Sequence, residues 1–144
     1  MASEIPRQIV LANFRPSKSE RTKAKRTKPD SREDREGNDE KHLKAIRLCP
    51  CCVPGCNVVG VDPHHLKCIP GTRGVALRAP DQYAVPLCRM HHDEVEKIGS
   101  RNERSWFSKI GIDPENLADA LWRAPRGSGA AYTRIVLAHK QGSK

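Results

Sequence analysis

All six cysteines and four of the six histidines of this 144-residue chain fall between Cys49 and His92. The stretch opens with Cys49, Cys51, Cys52 and Cys56 and passes to the doublet His64-His65. It closes with Cys88, His91 and His92, followed one helical turn later by Glu96. Packing alone does not gather soft and borderline ligands in this way, so the first constraint is a fold built around metal. Composition agrees. With 37% hydrophobic and 4% aromatic residues the chain can bury only a small core, and small cores commonly rely on a metal or disulfide staple.

Spacing sorts the ligands into two sets. A zinc knuckle joins two thiolate or imidazole pairs from separate turns. Cys51 or Cys52 with Cys56 makes one pair around the Pro54-Gly55 turn, and Cys88 with His91 at a helix start makes the other. The expected structural zinc site is Cys51, Cys56, Cys88 and His91, with Cys49 and Cys52 as alternatives to Cys51. Cys68 has no partner at knuckle spacing and reads as a buried free thiol.

His64, His65, His92 and Glu96 remain. His92 and Glu96 are four apart on an expected helix and share a face. His64 and His65 are consecutive at a strand end, so their side chains diverge; one can complete a ligand set while the other points toward a substrate. Three protein ligands leave coordination positions open, as in catalytic rather than structural sites. A neighbouring histidine outside the coordination shell is suited to take a proton from water.

The rest of the chain reads as α+β with a tail. Residues 1–39 carry a basic block (Lys23, Lys25 and Arg26 at its centre) followed by an acidic one, with little apolar content. Such segments bury too little to offset their ordering entropy, so a disordered tail is expected. Residues 40–144 form the domain, with a metal-bearing core at about 51–99 and a helical part at 100–144. Helices are expected over residues 40–48, 90–98 and 101–110, and over a segment opened by Asp113 as N-cap and Pro114 at the first position. Residues 130–139 read as a last helix, with a strand as the alternative, and short strands are expected at 58–61 and 83–87. Trp106, Phe107 and Trp122 lie at helical spacing and read as core.

The net charge of +9 points to a polyanionic partner, for which nucleic acid is the usual choice. The leading apolar run is too short and wrongly flanked for a secretion signal, and no segment reaches the ~20 apolar residues of a membrane span. A cytoplasmic chain with reduced, metal-binding cysteines is therefore expected, rather than a secreted disulfide-linked one.

Asp62-Pro63-His64-His65-Leu66, Pro86-Leu87-Cys88-Arg89-Met90-His91-His92-Asp93-Glu94, and Gly111-Ile112-Asp113 after a Trp-Phe pair resemble the HNH (ββα-metal, His-Me finger) endonuclease superfamily. The likeness is to its phage-associated branch of Ref-type recombination-enhancement nucleases and covers under half the chain. It implies two short antiparallel strands, an intervening loop and one helix, with further helices outside. By position it implies His64, His92 and Glu96 as ligands of a catalytic ion and His65 as the general base. It further implies 5′-phosphate and 3′-hydroxyl products, and a recombination protein as a further partner.

Two positions depart from that pattern. Glu96 stands where related sequences often carry histidine, which shifts preference toward Mg²⁺ or Mn²⁺, with Zn²⁺ or Ni²⁺ as alternatives. The middle asparagine that orients the base histidine would fall near Tyr83, which cannot do that job, so Asp81 or Gln82 is expected to replace it. Arg73 and Arg78, with Arg89 weaker, are expected to contact the DNA backbone, as are Lys23, Lys25 and Arg26 of the basic block. The competing expectation is a non-catalytic zinc module that binds DNA or a protein. It would have no need of His65 or Glu96.

Overall fold

The computed structural model describes residues 37–71 and 78–142. The expectations for the tail, for Lys23, Lys25 and Arg26, and for Arg73 lie outside these residues. The described chain is α+β, with five α-helices and a two-stranded antiparallel sheet. No helix among the described residues is long and apolar enough to cross a membrane.

The domain begins before Glu40. Asp39 is the N-cap of α1 (Glu40–Arg47), and its Oδ1 accepts the His42 backbone N–H at 2.9 Å. The side chains of Leu43, Ala45 and Ile46 on α1 are buried, as the expected helical spacing requires.

The first strand is not where residues 58–61 suggested. Gly60 has φ +77°, which breaks the extended run, and Val58 and Val59 are exposed. Only an isolated bridge, Pro50 to Val59, forms there. The strand β1 is Asp62–His65, so the two histidines lie within it rather than beyond its end. It pairs with β2 (Ala84–Leu87) in the register Asp62 with Leu87, Pro63 with Pro86, His64 with Val85 and His65 with Ala84. Tyr83 is the last residue of a 3₁₀ turn, Asp81–Tyr83, rather than the first of β2. All four residues of β2 are buried, so that strand is covered on both faces.

The remaining helices follow capping chemistry. Helix α2 (Arg89–Ile98) starts after Cys88, which makes no side-chain cap bond, and stops at Gly99, φ +77°. Helix α3 is Glu103–Lys109. Helix α4 (Pro114–Arg123) has Asp113 accepting from the Glu115 and Asn116 N–H groups, with Pro114 at its first position. Helix α5 (Gly129–Gln141) settles the ambiguity at residues 130–139 in favour of helix. Its Tyr132 and Val136 are fully buried, four apart on one face.

Leu43, Ile46, Val85, Leu87, Phe107, Leu117, Leu121, Tyr132 and Val136 belong to one core cluster. Trp106 and Phe107 are buried as expected, whereas Trp122 is only half-buried, with the Arg126 guanidinium 4.0 Å from its ring centroid.

Candidate metal centres and the histidine beside them

The first ligand set is assembled by the knuckle after α1 and the start of α2. Ligand atoms of Cys51, Cys56, Cys88 and His91 lie within 4.8 Å of one another. His91 Nδ1 is 3.2 Å from Cys88 Sγ and 3.4 Å from Cys51 Sγ, and Cys56 Sγ is 3.9 Å from Cys88 Sγ. A tetrahedral ion with Zn–S of ≈ 2.3 Å sets sulfurs about 3.8 Å apart, so this Cys₃His cluster fits a structural zinc. Cys51 is the residue that reaches it. The Cys49 thiol instead faces the Ala45 carbonyl at 3.4 Å, and Cys52 is fully buried elsewhere. Burial pushes the Cys51 thiol up to about 12. At Cys56 burial acts the same way, but the Val58 backbone and the Cys51 and Cys88 side chains outweigh it and hold the thiol below its usual range. Lys140 Nζ, from the end of α5, donates to the Cys51 and Cys56 carbonyls at 3.0 and 2.5 Å and ties that helix to the knuckle. All six cysteines are free thiols, and Cys68 is half-buried rather than buried.

The second set is brought together by β1 and α2. Ligand atoms of His64, His92 and Glu96 also lie within 4.8 Å of one another. The two imidazole rings meet edge to face with centroids 4.9 Å apart, and His64 Nδ1 is 3.8 Å from Glu96 Oε1. Both His64 Nδ1 and His92 Nδ1 are buried without a hydrogen-bond partner. Leaving such atoms unpaired costs about 1–3 kcal/mol each, unless their lone pairs meet a cation. Two imidazole nitrogens and one carboxylate oxygen form a donor set that suits a divalent ion and leaves positions open. Burial, aided by His64, lowers the His92 pKa and favours the neutral, ligating form. The Glu96 pKa is lowered chiefly by Lys67, whose Nζ donates to Glu96 Oε2.

Glu103 is the member of this site that sequence reasoning missed. It is fully buried at the start of α3. Its Oε1 lies 2.6 Å from His64 Nε2, and its Oε2 accepts the Lys67 and Cys68 backbone N–H groups at 2.7 and 2.5 Å. Burial would raise its pKa, but hydrogen bonds from His64 and Cys68 outweigh this, and the group is held ionised. An ionised carboxylate can only accept, so His64 carries its proton on Nε2 and turns the Nδ1 lone pair toward His92 and Glu96. Histidine ligands are commonly oriented in this carboxylate-backed way.

His65 follows on the same strand and faces elsewhere. Its Nε2 is 2.7 Å from Asp81 Oδ1, so of the two expected replacements for the asparagine, Asp81 is the one that contacts His65. Arg78 Nη2 donates to the same oxygen at 3.0 Å. Arg78 therefore braces this pair, with its side chain still half-exposed. Burial lowers the His65 pKa against the opposing pull of Asp81. Arg89, the weaker backbone candidate, is exposed and pairs with Asp93 at 3.0 Å.

A family model described as "Protein of unknown function (DUF968)" matches residues 20–125. The chain belongs to the DUF968 family. The matched span contains both ligand sets, His65, Asp81 and Glu103, and ends before α5. "Uncharacterized protein YdfU" of Escherichia coli (strain K12) is 38% identical over 72 residues, covering 44% of this chain and 20% of that protein. The chain thus spans about a fifth of that relative's length. No solved structure matches the chain.

Proposed function

We propose that this chain is a divalent-metal-dependent DNA endonuclease or nickase of the HNH kind, acting in phage-type DNA recombination or processing in the cytoplasm. One observation carries the reading. Two buried, unpartnered imidazole nitrogens converge with a carboxylate while the adjacent histidine on the same strand is held by a buried aspartate. The closed Cys₃His cluster would serve equally in a non-catalytic zinc module. Such a module has no use for the open set or for His65.

In this reading His64 Nδ1, His92 Nδ1 and Glu96 hold a divalent ion, Mg²⁺ or Mn²⁺ by virtue of the carboxylate, with Zn²⁺ or Ni²⁺ as alternatives. When bound, the ion supplies positive charge beside the scissile phosphate and its leaving oxygen. The protein's own groups do the rest. Asp81 accepts a hydrogen bond from His65 Nε2–H, which fixes the tautomer and leaves the Nδ1 lone pair to take a proton from water. Burial favours the neutral imidazole that this step requires. Glu103 keeps His64 in the ligating tautomer, as an ionised carboxylate behind a histidine ligand does. The net charge of +9 favours the approach of a polyanion.

Nicking of supercoiled plasmid with Mg²⁺, Mn²⁺, Ni²⁺ or Zn²⁺ tests this reading, with His65→Ala beside the native chain. The variant is expected to keep its affinity for the ion and to lose nicking. A native chain inert with every ion, or a variant as active as the native chain, would show the reading to be wrong.

A further inference from the structure

Asp81 is itself held from an unexpected quarter. It is 1% exposed, and each end of it is engaged. Oδ1 carries His65 Nε2 and Arg78 Nη2, while Oδ2 accepts the Asp39 backbone N–H at 2.9 Å. The Asp81 N–H in turn donates to the Gly37 carbonyl at 2.9 Å. Residues 37–39 and Asp81 thus exchange two hydrogen bonds across more than forty positions of sequence.

This segment is fixed in its own right. Asp39 Oδ1 caps α1, and Asp39 Oδ2 accepts Arg126 Nε at 2.7 Å. Gly37 has φ +85°, and a Cβ there would lie 3.2 Å from Pro80 Cβ, beside Asp81. A side chain there would be strained by the positive φ and would push Pro80 away by a few tenths of an ångström.

We infer that Gly37 and Asp39 are positioning residues for the His65–Asp81 pair, so that the chain entering α1 sets where the general base sits. The inference rests on the nuclease reading and goes beyond it. A carboxylate bonded only through Oδ1 could still swing about its own axis. Donors on both oxygens fix its plane, and with it the imidazole. Reaction geometry is sensitive at this scale, with displacements near 1 Å costing about a hundredfold in rate. Capping α1 needs only the Asp39 side chain. The bond from its backbone N–H to Asp81 adds nothing to the cap.

Gly37→Ala in the full, zinc-loaded chain is the test, with Asp113→Ala as the control. Both changes fall at helix entrances and both cost stability. Asp113 caps α4 and touches neither ligand set nor the base pair. Gly37→Ala is expected to lower kcat for plasmid nicking by about tenfold or more, with KM and Mn²⁺ affinity within about twofold of native. The proton-NMR signal of His65 Nε2–H, held against Asp81, should shift or broaden. Asp113→Ala should lower Tm and leave kcat and that signal unchanged. A Gly37→Ala chain with native kcat and an unmoved His65 signal overturns the inference, as does a loss of kcat matched by Asp113→Ala. An inert native chain would instead sink the nuclease reading, and the His65 signal would then decide the clamp by itself.

Discussion

Glu103→Gln separates the orientation of a metal ligand from the integrity of the fold. Gln fills the same volume, but one of its two positions becomes an NH₂ donor. The Lys67 and Cys68 backbone groups are donors that cannot change, so the amide oxygen must stay with them, where Oε2 now lies 2.7 and 2.5 Å away. The NH₂ then faces His64 Nε2, at the 2.6 Å position that Oε1 now occupies. To avoid two opposed donors His64 must move its proton to Nδ1, the atom aimed at His92 and Glu96. Binding an ion then requires the reverse tautomer and a donor–donor clash in place of a charge-assisted bond. Such a bond is worth about 1.5–3 kcal/mol, which is about ten- to a hundredfold in ion affinity. That matches the usual cost of losing a partner behind a histidine ligand. Without the ion the amide is satisfied, so stability should change by about 1 kcal/mol or less. Calorimetric titration of zinc-loaded protein with Mn²⁺ gives the affinity, and denaturant unfolding the stability. Affinity within twofold of native would refute the tautomer reasoning, and so would a loss of affinity explained by an equal loss of fold.

Two further predictions concern stability. Cys88→Ala removes a thiolate from the Cys₃His cluster. Structural zinc contributes about 10–16 kcal/mol in small domains, against a total stability of about 5–15 kcal/mol. The variant should therefore lose its zinc by metal analysis and its cooperative melting by circular dichroism; retention of both would remove the cluster from the folding account. His42, buried with Nδ1 2.7 Å from the Tyr132 hydroxyl, is lowered from 6.5 to about 4 by burial and by Arg126. Between those values the unfolded chain takes up a proton that the folded chain refuses. Stability is thus fully present above pH ~6.5 and falls as pH drops toward 4, by about 3 kcal/mol at most. The Tm of His42→Phe should fall less steeply over that window than the native Tm; parallel curves would contradict this.

What could be read from sequence was whatever local chemistry decides. Asp113-Pro114 opens α4 and Gly99 ends α2 because caps and stops act within a few residues. His92 and Glu96 share a face because the helical period places them there. Strand position was misjudged, since the β-branched Val58 and Val59 find no partner beyond one bridge, while the less promising Asp62-Pro63-His64-His65 pairs with a fully buried β2. Tertiary pairing overrode propensity there. Glu103 could not be found at all. It lies 39 positions from His64, and in sequence it is one more acid in the first turn of a helix, where the dipole alone would welcome it. Asp81 was within reach only because the missing asparagine narrowed the choice to two neighbours. The Asp39–Asp81 bond had no signal in sequence, and it makes the junction with the charged segment part of the domain rather than its leash.

The most direct test of the account is nicking of supercoiled DNA by protein stripped with chelator and reloaded with zinc and Mn²⁺, comparing the native chain with His64→Ala. His64 is the buried histidine of the open candidate set, and it takes no part in the cysteine cluster. The native chain should nick only with the second ion present, and His64→Ala should keep its zinc but nick at least about a hundredfold more slowly. Nicking that survives in His64→Ala, or that is absent from the zinc- and Mn²⁺-loaded native chain, would contradict this.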